Sequence, residues 1–382
     1  MANNPVPQIS RGASQDSLPH RIQATIDLGA LKHNLEVARL HAKGGHVVAV
    51  VKANAYGHGL VAAAEALHEA DLFAVTDVEE AERLRQAGIE KGILILQGII
   101  GPADLPLILQ NGYQPVIHRG EDLQLLEEAV ALRPPKTPLT LWLKLDSGMG
   151  RLGLTPEACV SQALLLRTKA WVKKVVLVTH IASASDPEAR LNKHQLAQFE
   201  AVHAQIPWCS RSIASSAGLL ALDCATDWNR PGIMLYGSSP FSWQDTARRR
   251  DIFDLKAVMT LQARLISIKD HQAGDSIGYN SQFVCDKATR VGTISCGYAD
   301  GYPSLTPNGA PVALMGRRSR TLGRVSMDMM AVDLSDFPDA TLGMPVELWG
   351  NTVSLDEVAA HTGILSYNLT CSITTRVPKC YA

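Results

Sequence analysis

Between about residues 30 and 240, short apolar runs alternate with longer amphipathic stretches, and few folds accommodate such a pattern. The apolar runs cover residues 46–52, 72–76, 93–96, 114–118, 139–146, 175–180, 212–216 and 229–236. Most are unbroken rather than alternating, as strands buried on both faces must be. Helical patterns fill the gaps at 60–70, 78–88, 102–111, 121–132, 156–168 and 187–204. In the last of these, Leu191, Leu196, Phe199 and Val202 recur at helical spacing. Regular strand–helix alternation implies parallel strands joined by right-handed crossovers. Eight such units predict a closed (β/α)8 barrel, an α/β fold, with an open doubly wound sheet as the alternative.

The pattern changes after about residue 250. Short alternating runs at 258–268, 290–296, 311–314, 319–322, 331–334 and 345–348 are separated by Gly, Pro, Asp and Asn. This predicts a mostly antiparallel β C-terminal domain. One short helix is expected at 355–361, with Ser354 as N-cap and Glu357 completing a capping box. The division is therefore a polar N-terminal arm over residues 1–20, the barrel over 21–250 and the β domain over 251–382.

Composition excludes several partners. A formal net charge of −1 gives no bulk attraction to nucleic acid or to acidic membranes. The run Arg248-Arg249-Arg250 reads as a solvated connector. No apolar run reaches membrane-spanning length, and residues 1–20 lack the apolar core of a secretory signal. The seven cysteines form no C-x-x-C pair, so no metal site is expected, and reduced thiols suit a cytoplasmic location.

In a β/α barrel, chemistry sits at the C-terminal ends of the strands. Lys52 ends the first apolar run, in the stretch Val51-Lys52-Ala53-Asn54-Ala55-Tyr56-Gly57-His58-Gly59. A lysine there either snorkels to solvent or is desolvated into a nucleophile able to form a Schiff base. Lys144, Asp146 and Arg151, then His180, Ser215 and Ser216, and Arg230 follow at later strand ends. Five strands of one barrel thus deliver polar groups to one rim. Tyr56 and Ser216 hydroxyls, with backbone N–H groups of Gly232 and Ile233, can cradle a phosphate dianion. A phosphorylated cofactor on a Schiff-base lysine means pyridoxal 5′-phosphate.

From Ala24 to Tyr381 the chain resembles the alanine racemases. The Lys52 stretch carries the resemblance, with Lys144-Leu145-Asp146-Ser147-Gly148-Met149-Gly150-Arg151, Thr179-His180-Ile181-Ala182-Ser183-Ala184 and Arg230-Pro231-Gly232-Ile233-Met234-Leu235-Tyr236-Gly237. In the second domain it rests on Gly297-Tyr298-Ala299-Asp300-Gly301-Tyr302, Gly323-Arg324-Val325-Ser326-Met327-Asp328-Met329 and Thr375-Arg376-Val377-Pro378. The resemblance implies a pyridoxal-phosphate-dependent amino-acid racemase interconverting L- and D-alanine, for peptidoglycan supply or alanine catabolism. Lys52 would hold the cofactor covalently, while Tyr56, Ser216, Gly232, Ile233 and Tyr367 bind its phosphate. The choice between Ser215 and Ser216 favours Ser216, because small residues follow it. His180 would pack on the pyridine ring and Arg230 face its nitrogen. Arg151, Met327 and Tyr298 would contact substrate, and Lys144 matches a lysine often carbamylated in the family. The family is a homodimer with shared active sites, so Tyr279, Tyr298 and Met327 would enter from the other subunit.

Racemisation needs two bases on opposite faces of Cα, and the resemblance supplies Lys52 for the D-isomer and Tyr279 for the L-isomer. A tyrosine with an unperturbed pKa near ~10 needs help, which a chain through His180 to Arg230 could give. Arg230 would disfavour a protonated pyridine and so restrain side reactions. A decarboxylase would want an acidic residue there, and the barrel-only proteins of cofactor homeostasis lack a second domain with Tyr279. The family's small residues after its tyrosine are replaced here by Asn280-Ser281-Gln282-Phe283, and Ser326 precedes Met327. A racemase of broader specificity, for serine or basic amino acids, is therefore the alternative, while bulky Tyr298 and Tyr367 favour small substrates.

Overall fold

The computed structural model describes residues 20–382, so the expected N-terminal arm lies outside the described residues except for His20. The chain divides into two compact units. The first comprises Leu31–Leu235 and Ser239–Leu255. The second comprises Tyr236–Ser238 and Lys256–Ala382, together with residues 20–30. The expected boundary at 250/251 put the first strand, β1 (Ile22–Ile26), with the barrel. Instead β1 pairs antiparallel with a long strand of the second unit, Ile22 opposite Ala263.

The first unit is a parallel barrel. Its strands are β2 (His46–Val50), β3 (Leu72–Val75), β4 (Ile93–Ile95), β5 (Gln114–Ile117), β6 (Leu139–Lys144), β7 (Val172–Val178), β8 (Ser210–Ser212) and β9 (Trp228–Asn229). They run in the order β8-β7-β6-β5-β4-β3-β2-β9, every pair parallel. The barrel is nearly closed: at the β8/β9 seam an isolated bridge joins Ser215 to Arg230, and the Arg230 N–H donates to Ala214 O at 2.8 Å. All four residues of β3 and all three of β4 are buried, which explains the unbroken apolar runs. Trp142 is fully buried at mid-barrel, and its Nε1–H donates to Gln114 Oε1 at 2.9 Å, so the indole leaves no orphan donor.

All eight expected strands exist, each ending short of its expected run, and three of these early endings bear on the site. The first stops at Val50, so Lys52 lies beyond the sheet. The seventh stops at Ser212, and Ser216 opens the helix Ser216–Ala221. The eighth, expected over 229–236, is only Trp228–Asn229, followed by a 3-10 turn over Ile233–Tyr236. Pro231 has no N–H for a ladder, and Ser216 Oγ takes the N–H groups of Gly232 and Met234.

The arginine run is not a solvated connector. Arg248 pairs with Asp245 at 2.7 Å and lies over the Phe241 ring, while the Arg249 guanidinium stacks 4.0 Å from the Trp243 ring centre. Planar guanidinium groups pack on aromatic faces while keeping their charge.

The second unit is a sheet built from β1 with β10 (Met259–His271), β13 (Thr289–Ile294), β14 (Pro311–Leu314), β15 (Arg317–Leu322), β16 (Met330–Asp333), β17 (Pro345–Trp349) and β18 (Lys379–Tyr381). Between β10 and β13 lie the two short strands β11 (Ser276–Ile277) and β12 (Phe283–Val284), which pair only with each other. In the main sheet all pairings are antiparallel except β1–β18. The sheet order is β13-β16-β15-β14-β17-β10-β1-β18, and β13 also pairs with β10, so the first six close into a ring. An irregularity between Leu265 and Ser267 lets β10 serve β17 along one half and β13 along the other. Trp349 and Tyr302 stack in this core with ring centroids 6.1 Å apart. Ser354 caps the helix Leu355–Thr362 by accepting the Asp356 N–H, as expected. Glu357 does not complete a capping box, because its carboxylate binds Arg318 instead. Among the described residues, no helix is long and apolar enough to cross a membrane.

Candidate active site

The segment after β2 is the most strained in the barrel. Ala53, Asn54, Ala55 and Tyr56 all have positive φ, between 51° and 55°, directly after Lys52. A left-handed residue other than glycine costs roughly 1–2 kcal/mol, and such residues normally occur singly. Here four follow one another, so other bonds must hold them. Within the turn, Ala55 N–H donates to Val51 O at 2.8 Å and Gly57 N–H to Ala53 O at 3.0 Å. From outside it, Glu80 Oε1 accepts the Asn54 N–H at 3.1 Å, and Asn54 Oδ1 accepts the Leu60 N–H at 2.9 Å. The turn leaves Lys52 half-buried and tucks Tyr56 into the barrel at 8% exposure.

At the opposite side of the rim, β6 ends in Lys144, and the loop that follows carries Arg151. Asp146 organises that loop. Its Oδ1 accepts N–H groups of Gly148, Met149 and Gly150 at 2.9–3.1 Å. Burial works against the Asp146 carboxylate, but these amides and nearby Lys144 hold its pKa below the usual carboxylate value. Asp146 is thus committed to the loop. Fully buried Gln195 then ties this loop to the end of β7. Its amide donates to Ser147 Oγ at 3.2 Å and to His180 O at 3.1 Å, and its oxygen accepts the Ala182 N–H at 2.8 Å.

Ser216, Gly232 and Tyr56 converge. Ser216 Oγ accepts the Gly232 N–H at 2.9 Å and the Met234 N–H at 3.3 Å. A Cβ at position 232 would stand 2.5 Å from the Tyr56 hydroxyl, so only glycine fits. Two hydroxyls and two backbone N–H groups therefore share one spot, and Ile233, 1% exposed, adjoins it. The hydroxyl there belongs to Ser216, whereas Ser215 is used at the barrel seam. The Tyr56 hydroxyl and a Ser216 hydroxyl anchored on two backbone amides suit a phosphate dianion.

Arg230 is buried, and its partners are the Ser212 hydroxyl and two carbonyls, Thr179 O at 2.6 Å and Ile213 O at 3.2 Å. None of them is a carboxylate. Burial lowers its pKa to about 10, so it remains a cation at neutral pH. Its field, with Lys144, Arg151 and Lys52, reaches His180. Burial and those four cations push the His180 pKa down to about 3, which leaves the ring neutral. Lys144 is lowered to about 8 by burial, Arg230 and Arg151, with Asp146 opposing. The rim thus concentrates positive charge, with Asp146 the acidic group felt by Lys144, and it is built to receive an anion.

The remaining expected residues lie in the second unit. Tyr279, Tyr298 and Met327 are exposed there at 66%, 42% and 53%. The backbones of the Tyr298 and Met327 loops meet. Tyr298 N–H donates to Ser326 O at 3.0 Å and Ala299 N–H to Met327 O at 2.9 Å. A Cβ at Gly297 would lie 2.3 Å from Met327 O, so glycine permits that contact. Gly278, before Tyr279, has positive φ, and a Cβ there would lie 3.6 Å from Arg324 N. Tyr367 lies half-buried on the helix Ser366–Cys371, and burial together with Asp356 raises its pKa to about 12. Beneath these loops, fully buried Asp300 binds Arg21 and accepts the Gly297 N–H at 3.1 Å. Arg376 links Asp300 to Asp328, at 3.5 and 2.7 Å. The sequence gives no individual signal for Glu80, Gln195, Arg21 or Asp300 as supports. Asp77 and Glu80 look like an ordinary helix start, and Asp300 is visible only within its motif.

Comparison with known proteins agrees with this architecture. The model of the alanine racemase N-terminal domain matches residues 26–240, and that of the alanine racemase C-terminal domain matches 258–381. The catabolic alanine racemase of Pseudomonas putida is 44% identical over 361 residues, which is 94% of this chain and 98% of that protein. The crystal structure of the biosynthetic alanine racemase from Pseudomonas aeruginosa matches with a TM-score of 0.88 at 42% identity, over 95% of this chain and 99% of that one. That of Bartonella henselae alanine racemase with covalently bound pyridoxal phosphate matches with a TM-score of 0.85 at 29% identity, over 95% and 100%. The parallel barrel with its cationic rim, joined to an antiparallel β unit, marks an amino-acid racemase, an isomerase. More particularly, the chain belongs to the alanine racemase family.

Proposed function

We propose that the chain interconverts L- and D-alanine by a two-base mechanism, using pyridoxal phosphate held on Lys52. One observation carries the cofactor reading: the Tyr56 and Ser216 hydroxyls and the Gly232 and Met234 N–H groups converge where glycine alone fits. Tyr56, Ser216, Gly232 and Ile233 hold the phosphate, joined by Tyr367. When bound, the cofactor supplies the electron sink that acidifies the Cα–H of an attached amino acid.

The protein's part is binding, orientation and proton movement. Lys52 Nζ carries the cofactor and, once displaced by substrate, takes or returns the Cα proton on one face. The phenol oxygen of Tyr279 of the partner subunit serves the other face. Arg151 and the partner's Met327 N–H hold the substrate carboxylate, and the partner's Tyr298 limits side-chain size. His180, neutral with a pKa of about 3, packs on the ring. Arg230, cationic and without a carboxylate partner among the described residues, opposes protonation of a ring nitrogen placed against it. Lys144, with its lowered pKa, is the lysine suited to carbamylation. The exposure of Tyr279, Tyr298 and Met327 supports completion of the site by a second copy.

The test is Lys52→Ala. The purified wild type should yield D-alanine from L-alanine by chiral chromatography, and borohydride should fix the cofactor mass on the peptide containing Lys52. Lys52→Ala should carry no fixed cofactor and lose about 10²–10⁴-fold or more in rate, the range for a general base. A borohydride-fixed cofactor on another lysine in the variant would reject the assignment.

A further inference from the structure

We propose that Glu80 is the positioning residue for Lys52 and Tyr56: its carboxylate fastens the left-handed turn between them to the end of β3. The inference rests on the roles given to Lys52 and Tyr56 above. The turn has no glycine from Ala53 to Tyr56, yet all four residues hold positive φ. L-residues leave that region unless something fixes them. Glu80 does so from a rigid base. It stands three residues after Asp77, which caps the helix Val78–Gln86 by accepting the Glu80 N–H at 3.0 Å. Its two carboxylate oxygens then divide between two segments. Oε1 takes the Asn54 N–H at 3.1 Å, and Oε2 takes the Thr76 N–H at 3.0 Å, just past β3. β3 is the strand that pairs with β2, and Val51 N–H donates to Ala74 O at 2.9 Å. One carboxylate thus closes a short circuit from β2 through the turn and back to β3. Hydrogen bonds to an ionised acceptor are among the stronger ones available to a backbone amide.

Glycine provides the discriminating test, since it occupies positive φ without the Cβ penalty. If Glu80 acts by holding reluctant residues in place, making one of them willing should reduce the need for it. Hydrogen exchange of the full-length protein, with and without pyridoxal phosphate, is followed by mass spectrometry in the peptide covering 53–60 and in a reference peptide covering β6. In Glu80→Ala the 53–60 amides should exchange at least about ten-fold faster while β6 is unchanged, as for a local opening. The apparent Kd for pyridoxal phosphate should weaken in parallel by about the same factor, because binding then has to select the ordered turn. Adding Ala53→Gly to Glu80→Ala should recover most of both changes. Glu80→Gln keeps the bulk and one acceptor, and should fall between; it also supplies the comparison if Glu80→Ala does not fold.

Unchanged exchange at 53–60, faster exchange shared by β6, unaltered cofactor affinity, or no recovery with Ala53→Gly would each overturn the proposal. A Glu80 that merely caps Thr76 would show no recovery. The exchange measured without cofactor reads the turn whatever Lys52 carries, so a failure of the Lys52→Ala test would leave that result standing and locate the error in the cofactor assignment.

Discussion

Lys144 shows how neighbours set the state of one side chain. It ends a barrel strand, so its ammonium loses water, and Arg230 and Arg151 add repulsion that Asp146 only partly offsets. Its pKa falls from 10.5 to about 8. The direction of the stability effect follows from proton binding. Between pH 8 and 10.5 the unfolded chain holds this proton and the folded one does not, so stability rises with pH there. Below pH 8 both states are charged, and the folded state bears the full penalty, on the order of 3 kcal/mol for a shift of this size. Lys144→Met removes the penalty. In carbon-dioxide-free buffer, urea unfolding should show the variant gaining on the wild type at pH 7, with the gap narrowing as pH approaches 10.5. A gap independent of pH would show that Lys144 is not held depressed. The neutral amine favoured by this site is also the form that reacts with carbon dioxide, so the carbamylation proposed above would draw on the same field.

Gln195 makes the corresponding point for elements, since it joins the helix Arg190–His203 to the Arg151 loop and to the end of β7. Gln195→Leu keeps the volume and removes every one of these bonds. Leaving the Ala182 N–H and the His180 carbonyl without this partner should cost about 1–3 kcal/mol in thermal or urea unfolding. Because the loop that loosens carries Arg151, KM for alanine should rise more than kcat falls. Equal losses in both would mean that the loop is fixed by Asp146 alone. None of this connectivity could be read from sequence, whereas the strands that carry it could. A barrel strand buried on both faces writes itself as an apolar run, and topology then places Lys52, Lys144, His180 and Arg230 at one end. The turn at Ala53–Tyr56 leaves no such trace, because Ala, Asn and Tyr in sequence say nothing of positive φ. β1 and β18 are short and pair with partners far along the chain, so no local pattern reveals them. Glu80 and Gln195 were equally invisible, since each acts chiefly on backbone amides and carbonyls that every sequence possesses.

For the whole molecule, the proposed bases fall in different units of the chain, Lys52 in the barrel and Tyr279 on an exposed turn of the β unit. The proposal that the partner subunit supplies Tyr279 makes a prediction that a self-sufficient subunit cannot satisfy. Lys52→Ala and Tyr279→Phe should each be nearly inactive when assembled alone, because every site then lacks one base. A hybrid dimer is different. One of its sites combines both lesions, but the other joins an intact Lys52 to an intact Tyr279. Random pairing makes half of the dimers hybrids, each with one complete site, so co-expression should restore about a quarter of wild-type activity per protomer, as expected for a two-fold symmetric assembly. Hybrids isolated with two different affinity tags should show about half of the wild-type rate on the same basis. If each subunit instead used its own Tyr279, one protomer of the hybrid would lack Lys52 and the other Tyr279, no complete site could form, and mixing would restore nothing. Native mass spectrometry of the isolated hybrids distinguishes that outcome from a failure of the two variants to associate.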